Sequence, residues 1–151
     1  MPDLRTSDLE RELSSPYADV ERYLSDNASE MYCGEGTFAA YMRSLFKAHN
    51  TKPQIVFSRG DIPLRYGYRL ISGEKHTRQR DVILRICFAA DFSLDETQRA
   101  LQIYGMSRLY ARYPRDAVLI FALEHKISDI SEINELLKTH GMNPLMELRN
   151  S

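Results

Sequence analysis

No run in this 151-residue sequence approaches 18 consecutive apolar residues, so a membrane-spanning helix is not expected. Cysteine is scarce: Cys33 and Cys87 stand far apart with neither CxxC nor Cys/His ligand spacing, which argues against a disulfide scaffold or a zinc module and leaves free thiols. The patterns HExxH, GxSxG, GxGxxG and the P-loop are missing, and no carboxylate pair stands out for acid–base work. His49, His76, His125 and His140 lack the spacing or the cysteine partners of metal ligands. His49 and His140 are expected near helix C-termini, where a protonated imidazole complements the dipole. Neither enzymatic, metal nor cofactor chemistry is expected. The N-terminal MPDLRTSDLERELSS is charged where a signal peptide needs an apolar stretch, so the expectation is a soluble, unprocessed protein of a bacterial-type cytoplasm.

What is present has the balance of one ordinary globular domain, with 43% hydrophobic and 27% charged residues. The formal net charge of −1 hides an uneven distribution. Residues 1–36 hold nine acids and three bases, residues 37–85 ten bases and three acids, and residues 86–151 nine acids and seven bases. A basic block inside a neutral protein is either a solvated face or the electrostatic footprint of a polyanion partner.

Residues 1–36 read as an acidic helical extension, with Leu4, Leu9 and Leu13 and then Val20, Tyr23 and Leu24, broken at Pro16 and by Cys33-Gly34-Glu35-Gly36. It is either a soluble appendage or an arm that covers a basic surface or meets a protein partner. From Thr37 the residues Phe38, Tyr41, Met42, Leu45 and Phe46 fall at i, i+3, i+4, i+7 and i+8, which predicts an amphipathic helix stopping near Asn50. A short helix is expected over Pro53–Arg59, with proline tolerated in its first turn, and a second from Pro63 to Ile71, ended by Ser72-Gly73.

From Arg80 the sequence repeats itself. Residues 80–109 echo residues 115–145 with one inserted residue, matching Arg80/Arg115, Asp81/Asp116, Leu84/Leu119, Ser93/Ser128, Glu96/Glu132, Leu101/Leu137, Gly105/Gly141, Met106/Met142 and Leu109/Leu145. Each copy reads as an αα-hairpin: an apolar helix, a serine N-cap, and an amphipathic helix closed by Gly-Met. Ser93 with Glu96 forms a capping-box pattern. Chance likeness between two amphipathic hairpins is the alternative; the shared Arg-Asp and Gly-Met pairs favour duplication. With no convincing period-two run, the expected fold class is all-α.

Residues 37–90 resemble the lambda-repressor/Cro-like helix-turn-helix family of the xenobiotic-response-element type, over about a third of the chain. The likeness matches 37–49 to that family's first helix, Pro53–Arg59 to its second, Pro63–Ile71 to its recognition helix and Arg78–Ala90 to the apolar helix behind it. Gly73, followed by Glu74-Lys75-His76, stands where the family has a glycine and a basic tail. The wider chain looks like a group of small bacterial regulators. The implied organisation is an N-terminal extension over 1–36, a DNA-binding domain over 37–92, and duplicated helical hairpins over 93–151 packed on it as a single unit.

A helix about 10–12 Å across fits a B-DNA major groove about 12 Å wide. With Ile62, Gly67 and Leu70 turned inward, Leu64, Arg65, Tyr68 and Arg69 share the outward face and are the expected base readers, the arginines as bidentate partners of guanine. Lys52, Gln54, Lys75, His76 and Arg78 flank the two helices and suit phosphate contacts. Pro53 stands where the family's second helix carries a backbone-contacting glutamine, with Gln54 one step later. Phe57 and Gly67 replace that family's alanine and branched residue. A large side chain facing a glycine conserves volume, so the Phe57 ring is expected to fill the gap at Gly67, with Tyr66 next to the core.

Tyr104, Tyr110 and Tyr113, interleaved with Arg108, Arg112 and Arg115, fit either a plug between the hairpins or a stacking surface for single-stranded nucleic acid. The plug is the commoner arrangement, and an RNA-binding protein is correspondingly the weakest reading. The leading expectation is a sequence-specific regulator of transcription that binds double-stranded DNA as a repressor. A homodimer spanning two half-sites would fit it, through the C-terminal hairpins or the N-terminal extension. The rival is a protein–protein interaction module, an adaptor or antitoxin-like partner, on the same scaffold.

Overall fold

Seven α-helices and no strand account for the regular structure of the described residues, 35–148, in a computed structural model of the chain. By their internal contacts residues 34–151 form one unit, and the description concerns that unit alone. Of the extension expected over 1–36, residues 1–34, Cys33 among them, lie outside the described residues.

The first helix, α1 (Glu35–Ala48), starts two residues before Thr37 and buries Phe38, Met42, Leu45 and Phe46, with Tyr41 half-buried. Asn50 follows with a positive φ of 51°, a conformation asparagine tolerates well. Helix α2 (Pro53–Arg59) uses Pro53 in its first turn, where no N–H is required. Helix α3 (Leu64–Ser72) begins one residue after Pro63, which serves as its N-cap, and ends at Gly73 with φ 87°, which a side chain would strain.

Helix α4 (Arg80–Ala89) is apolar nearly all round and is the centre of the core: every residue from Val82 to Ala89 is buried. It is shorter than the span 78–90 because Arg78 is not helical and Gln79 is the extended N-cap, with Ala90 the C-cap. Helix α5 (Leu94–Tyr104) carries the capping box: Glu96 N–H donates to Ser93 Oγ at 3.1 Å, and Ser93 N–H to Glu96 Oε1 at 2.8 Å. Helices α6 (Pro114–Glu124) and α7 (Ile130–Thr139) complete the chain. The cap of α7 is Asp129, whose carboxylate accepts from Ser131 N–H at 2.8 Å, and not Ser128. The residue inserted between the copies moves the capping position forward by one.

Helix α1 packs on α3 and α5, and α2 on α3 and α4. Within each hairpin α4 meets α5 and α6 meets α7, and between hairpins α4 meets α7 and α5 meets α6. Residues at matching repeat positions make matching bonds across this junction. Arg80 pairs with Asp116 of the other hairpin and donates to the carbonyls of Ser107 and Arg108 of its own. Arg115 pairs with Asp81 through two bonds of 2.9 Å and donates to the carbonyls of Asn143 and Pro144. The Tyr110 N–H donates to Asp116 and the Met146 N–H to Asp81, each at 3.0 Å. Gln98 clamps both backbone groups of Leu109, and Asn134 accepts from the Leu145 N–H.

Asp81 feels burial, which alone would raise its pKa. The Arg115 and Met146 hydrogen bonds and the charges of Arg115 and Arg80 outweigh that and hold it below the usual carboxylate range. Cys87 is free and fully buried, and burial pushes its thiol up to about 12, so it stays protonated and inert at neutral pH.

Candidate nucleic-acid interface

The turn between α2 and α3 is built from backbone bonds. Gly60 N–H donates to Val56 O at 2.9 Å, Asp61 takes a positive φ of 53°, and Ile62 N–H returns to Phe57 O at 2.9 Å. Ile62 then enters the core, and Pro63 is the N-cap of α3. One inner contact sets how close the helices come. A Cβ built on Gly67 would stand 2.7 Å from the Phe57 ring, so the ring occupies the space of a missing side chain. The expected pairing is therefore present, and Tyr66 is half-buried against the core as expected.

With Gly67, Leu70 and Ile71 facing inward, the opposite side of α3 is open. Leu64 is 53% and Tyr68 43% exposed, Arg65 is exposed, and Arg69 is partly so. Arg65 has no hydrogen-bonding or ionic partner among the described residues. The Arg69 Nε lies 3.5 Å from Glu74 Oε1, an exposed pair of the kind that contributes little and yields to a better partner. Tyr68 sets its ring edge-on to Phe57 at 5.3 Å and donates from its hydroxyl to Gln54 Oε1 at 3.3 Å. That bond joins the outer face of α3 to the first turn of α2, next to exposed Lys52.

Past Gly73, the Lys75 N–H donates to Arg69 O at 3.0 Å, and Lys75, His76 and Arg78 are exposed. His76 is also stacked on the ring of Tyr104 at 4.4 Å, and the Thr77 N–H donates to the Tyr104 hydroxyl at 2.8 Å. Its stacking leaves the imidazole an accessible face and a fixed place. Of the three tyrosines Tyr104 is buried, but against Phe38 of α1 and the His76–Thr77 segment rather than as a plug between the hairpins. Tyr110 and Tyr113 lie in the link after the helix end and point to solvent. Arg115, grouped with them in the sequence, is committed to Asp81. His49 directly follows the last residue of α1, as expected, and its ring also bonds Glu96 Oε1 at 2.8 Å.

Arg85 was not foreseen as a structural residue. It is 2% exposed and donates to the carbonyls of Gly60, Leu145 and Met146 at 3.0, 3.1 and 2.6 Å, tying the α2–α3 turn to the tail after α7. Burial lowers its pKa, opposed by the charges of Asp61, Glu147 and Asp81. Its one sequence signal is an arginine inside the apolar run Val82–Ala89. The adjoining cleft, about 600 Å³, is lined by Asp61 and Glu147 as well as Arg85, a mixed field ill suited to an anion.

Among the described residues no three His, Cys, Asp or Glu side chains gather where they could hold a metal ion, and no helix is long and apolar enough to cross a membrane. Comparison with protein-family models, with curated proteins and with solved structures finds no match. A functional reading therefore rests on the chain's own residues.

Proposed function

We propose that this chain is a cytoplasmic transcriptional repressor that binds double-stranded DNA through a lambda-repressor-like helix-turn-helix, α2 and α3, followed by a duplicated hairpin unit. One observation carries the reading. A short helix, braced from behind by the Phe57 ring against Gly67, offers Leu64, Arg65, Tyr68 and Arg69 to solvent, with Arg65 unpaired among the described residues. Arg65 and Arg69 read guanine edges in the major groove, and Tyr68 and Leu64 contact neighbouring bases or thymine methyls. Lys52, Gln54, Lys75, His76 and Arg78 hold the phosphates on either side and set register. A homodimer places two such helices on half-sites about 34–36 Å apart.

A second reading, a protein–protein interaction module, is favoured by a different observation. Ala117, Val118, Phe121, Leu136 and His140 line an open apolar groove of about 290 Å³ on the second hairpin. Gel shift on duplex DNA over a salt series separates the two. For a DNA-binding protein log affinity falls linearly with log salt, Arg65→Ala relaxes base preference, and Lys75→Ala weakens all sequences alike. Absence of binding at low salt overturns the DNA reading.

A further inference from the structure

The link between the hairpins, residues 105–113, is anchored by buried Leu109 and by backbone hydrogen bonds, while Arg108, Tyr110, Arg112 and Tyr113 turn to solvent. Gln98 clamps Leu109 at 2.7 and 2.8 Å, Asp116 holds the Tyr110 N–H, Arg80 holds the carbonyls of Ser107 and Arg108, and Tyr113 N–H closes a turn on Tyr110 O at 3.0 Å. On this frame Tyr110 is 58% and Tyr113 64% exposed, their rings edge to face at 6.3 Å. Arg108 and Arg112 are exposed beside them with no carboxylate partner among the described residues. No acid occurs between Glu96 and Asp116, and Asp116 is buried and committed to Arg80.

The second hairpin supplies an internal control. Its tail is pinned in the same way by Asn134, Asp81 and Arg115, yet it carries Pro144, Met146, Glu147 and Leu148 where the link carries Arg108, Tyr110, Ala111 and Arg112. The shared frame thus needs neither Arg108, Arg112 nor Tyr110. The link also lies against the segment that follows α3: Arg80 reaches residues 107 and 108, and His76 and Thr77 meet Tyr104 at the end of α5. Arg80 bonds the Arg108 carbonyl and follows Arg78 by two residues, so the basic segment Lys75–Arg78 and the link meet through it.

We infer that residues 107–113 form a second contact with the duplex read by α3: Arg108 and Arg112 neutralise backbone phosphates, and Tyr110 and Tyr113 lie against the adjoining sugars. This rests on the DNA reading of α3. The test is fluorescence anisotropy of the full chain with labelled duplex, and with single-stranded RNA and DNA of equal length, across a potassium chloride series. Wild type binds duplex. Arg108→Ala/Arg112→Ala weakens it about tenfold or more near 0.1 M salt, flattens the slope of log affinity against log salt by about 2, and leaves base preference unchanged. Tyr110→Ala/Tyr113→Ala weakens binding with little change of slope. All four side chains are exposed, so melting temperatures stay at the wild-type value. Wild-type duplex binding that both variants retain in full overturns the link as a contact while leaving α3 standing. Failure of the wild type to bind duplex overturns the reading of α3 and the duplex contact together. Binding of single strands alone, lost in these variants, overturns the duplex assignment and makes the link a stacking platform.

Discussion

Ile86 and Phe121 occupy matching positions of the two hairpins, yet Ile86 is sealed in the core and Phe121 is 46% exposed. The same contrast runs along both helices. Val82, Ile83, Ala100 and Tyr104 are buried, whereas their counterparts Ala117, Val118, Leu136 and His140 line an open groove. The difference comes from α1 and α2, which pack on the first hairpin, as where the Phe38 ring meets Tyr104 at 4.7 Å. Backbone shape does not differ in the same way. Asp91 and Lys126 share a φ of 58°, Gly105 and Gly141 both have positive φ, and Phe92 N–H and Ile127 N–H return to Cys87 O and Ala122 O at 3.0 and 2.9 Å. The bonds that shape a hairpin are thus separable from the faces it offers, which frees one set of faces for packing and the other for solvent or a partner.

The crossed ion pairs are where that comparison breaks most severely. Asp116→Ala leaves the Arg80 guanidinium half-buried without its carboxylate and the Tyr110 N–H without an acceptor, and is expected to cost about 3–5 kcal/mol in urea denaturation. Asp81→Ala costs less, because Asp81 is 17% exposed against 4% for Asp116, so water already screens more of its pairing. Equal losses under about 1 kcal/mol would reduce both pairs to ordinary surface bridges. Next in size is the burial contrast itself. Ile86→Ala should cost about 2–5 kcal/mol, and Phe121→Ala, at the matching position, less than about 1 kcal/mol. Similar losses at both sites would mean that the second hairpin's face is covered in solution.

Much of this was legible from spacing. The stripe of α1, the proline and glycine boundaries of α2 and α3, and the outward set on α3 follow from helical periodicity and from where proline and glycine are tolerated. Phe57 over Gly67 was legible because a glycine within a helix leaves a gap that a neighbour must fill. It gives a prediction of sign. Alanine for an ordinary helical glycine gains about 1 kcal/mol, but a Cβ at 2.7 Å from the Phe57 ring should make Gly67→Ala destabilising by about 1–3 kcal/mol. Thermal unfolding of Gly67→Ala, alone and with Phe57→Leu, reads it; a stabilised single variant would sink the contact.

Other features left no such trace. The repeat marks Arg80, Asp81, Arg115 and Asp116 as equivalent, but whether partners pair within a hairpin or across depends on how the copies face each other, which periodicity does not encode. Arg85 bonds three carbonyls, and carbonyls are the same at every position. Tyr104 and Tyr110 differ in burial because one ends a helix against α1 and the other lies within the link, a distinction that three closely spaced tyrosines do not announce. Those limits explain why the exposed set on α3 was readable in advance and the crossed pairing of the hairpins was not.

The smallest expected effect separates the hairpins by proton linkage. Burial would raise the pKa of Glu96, but the Ser93 N–H and the His49 ring hold it below the ordinary value, and Asp81 is lowered as well. A carboxylate depressed in the folded state contributes stability in full above its unfolded value and loses it as pH falls through the folded one, because the unfolded chain then binds more protons. Urea midpoints should therefore stay level down to about pH 5 and fall below about pH 4. Glu96→Gln should make that acid limb shallower. Its counterpart Glu132, exposed while Asp129 caps α7, should leave the limb unchanged when replaced by glutamine. Matching curves for the two variants would place the acid sensitivity outside the first hairpin's capping box and erase this distinction between the copies.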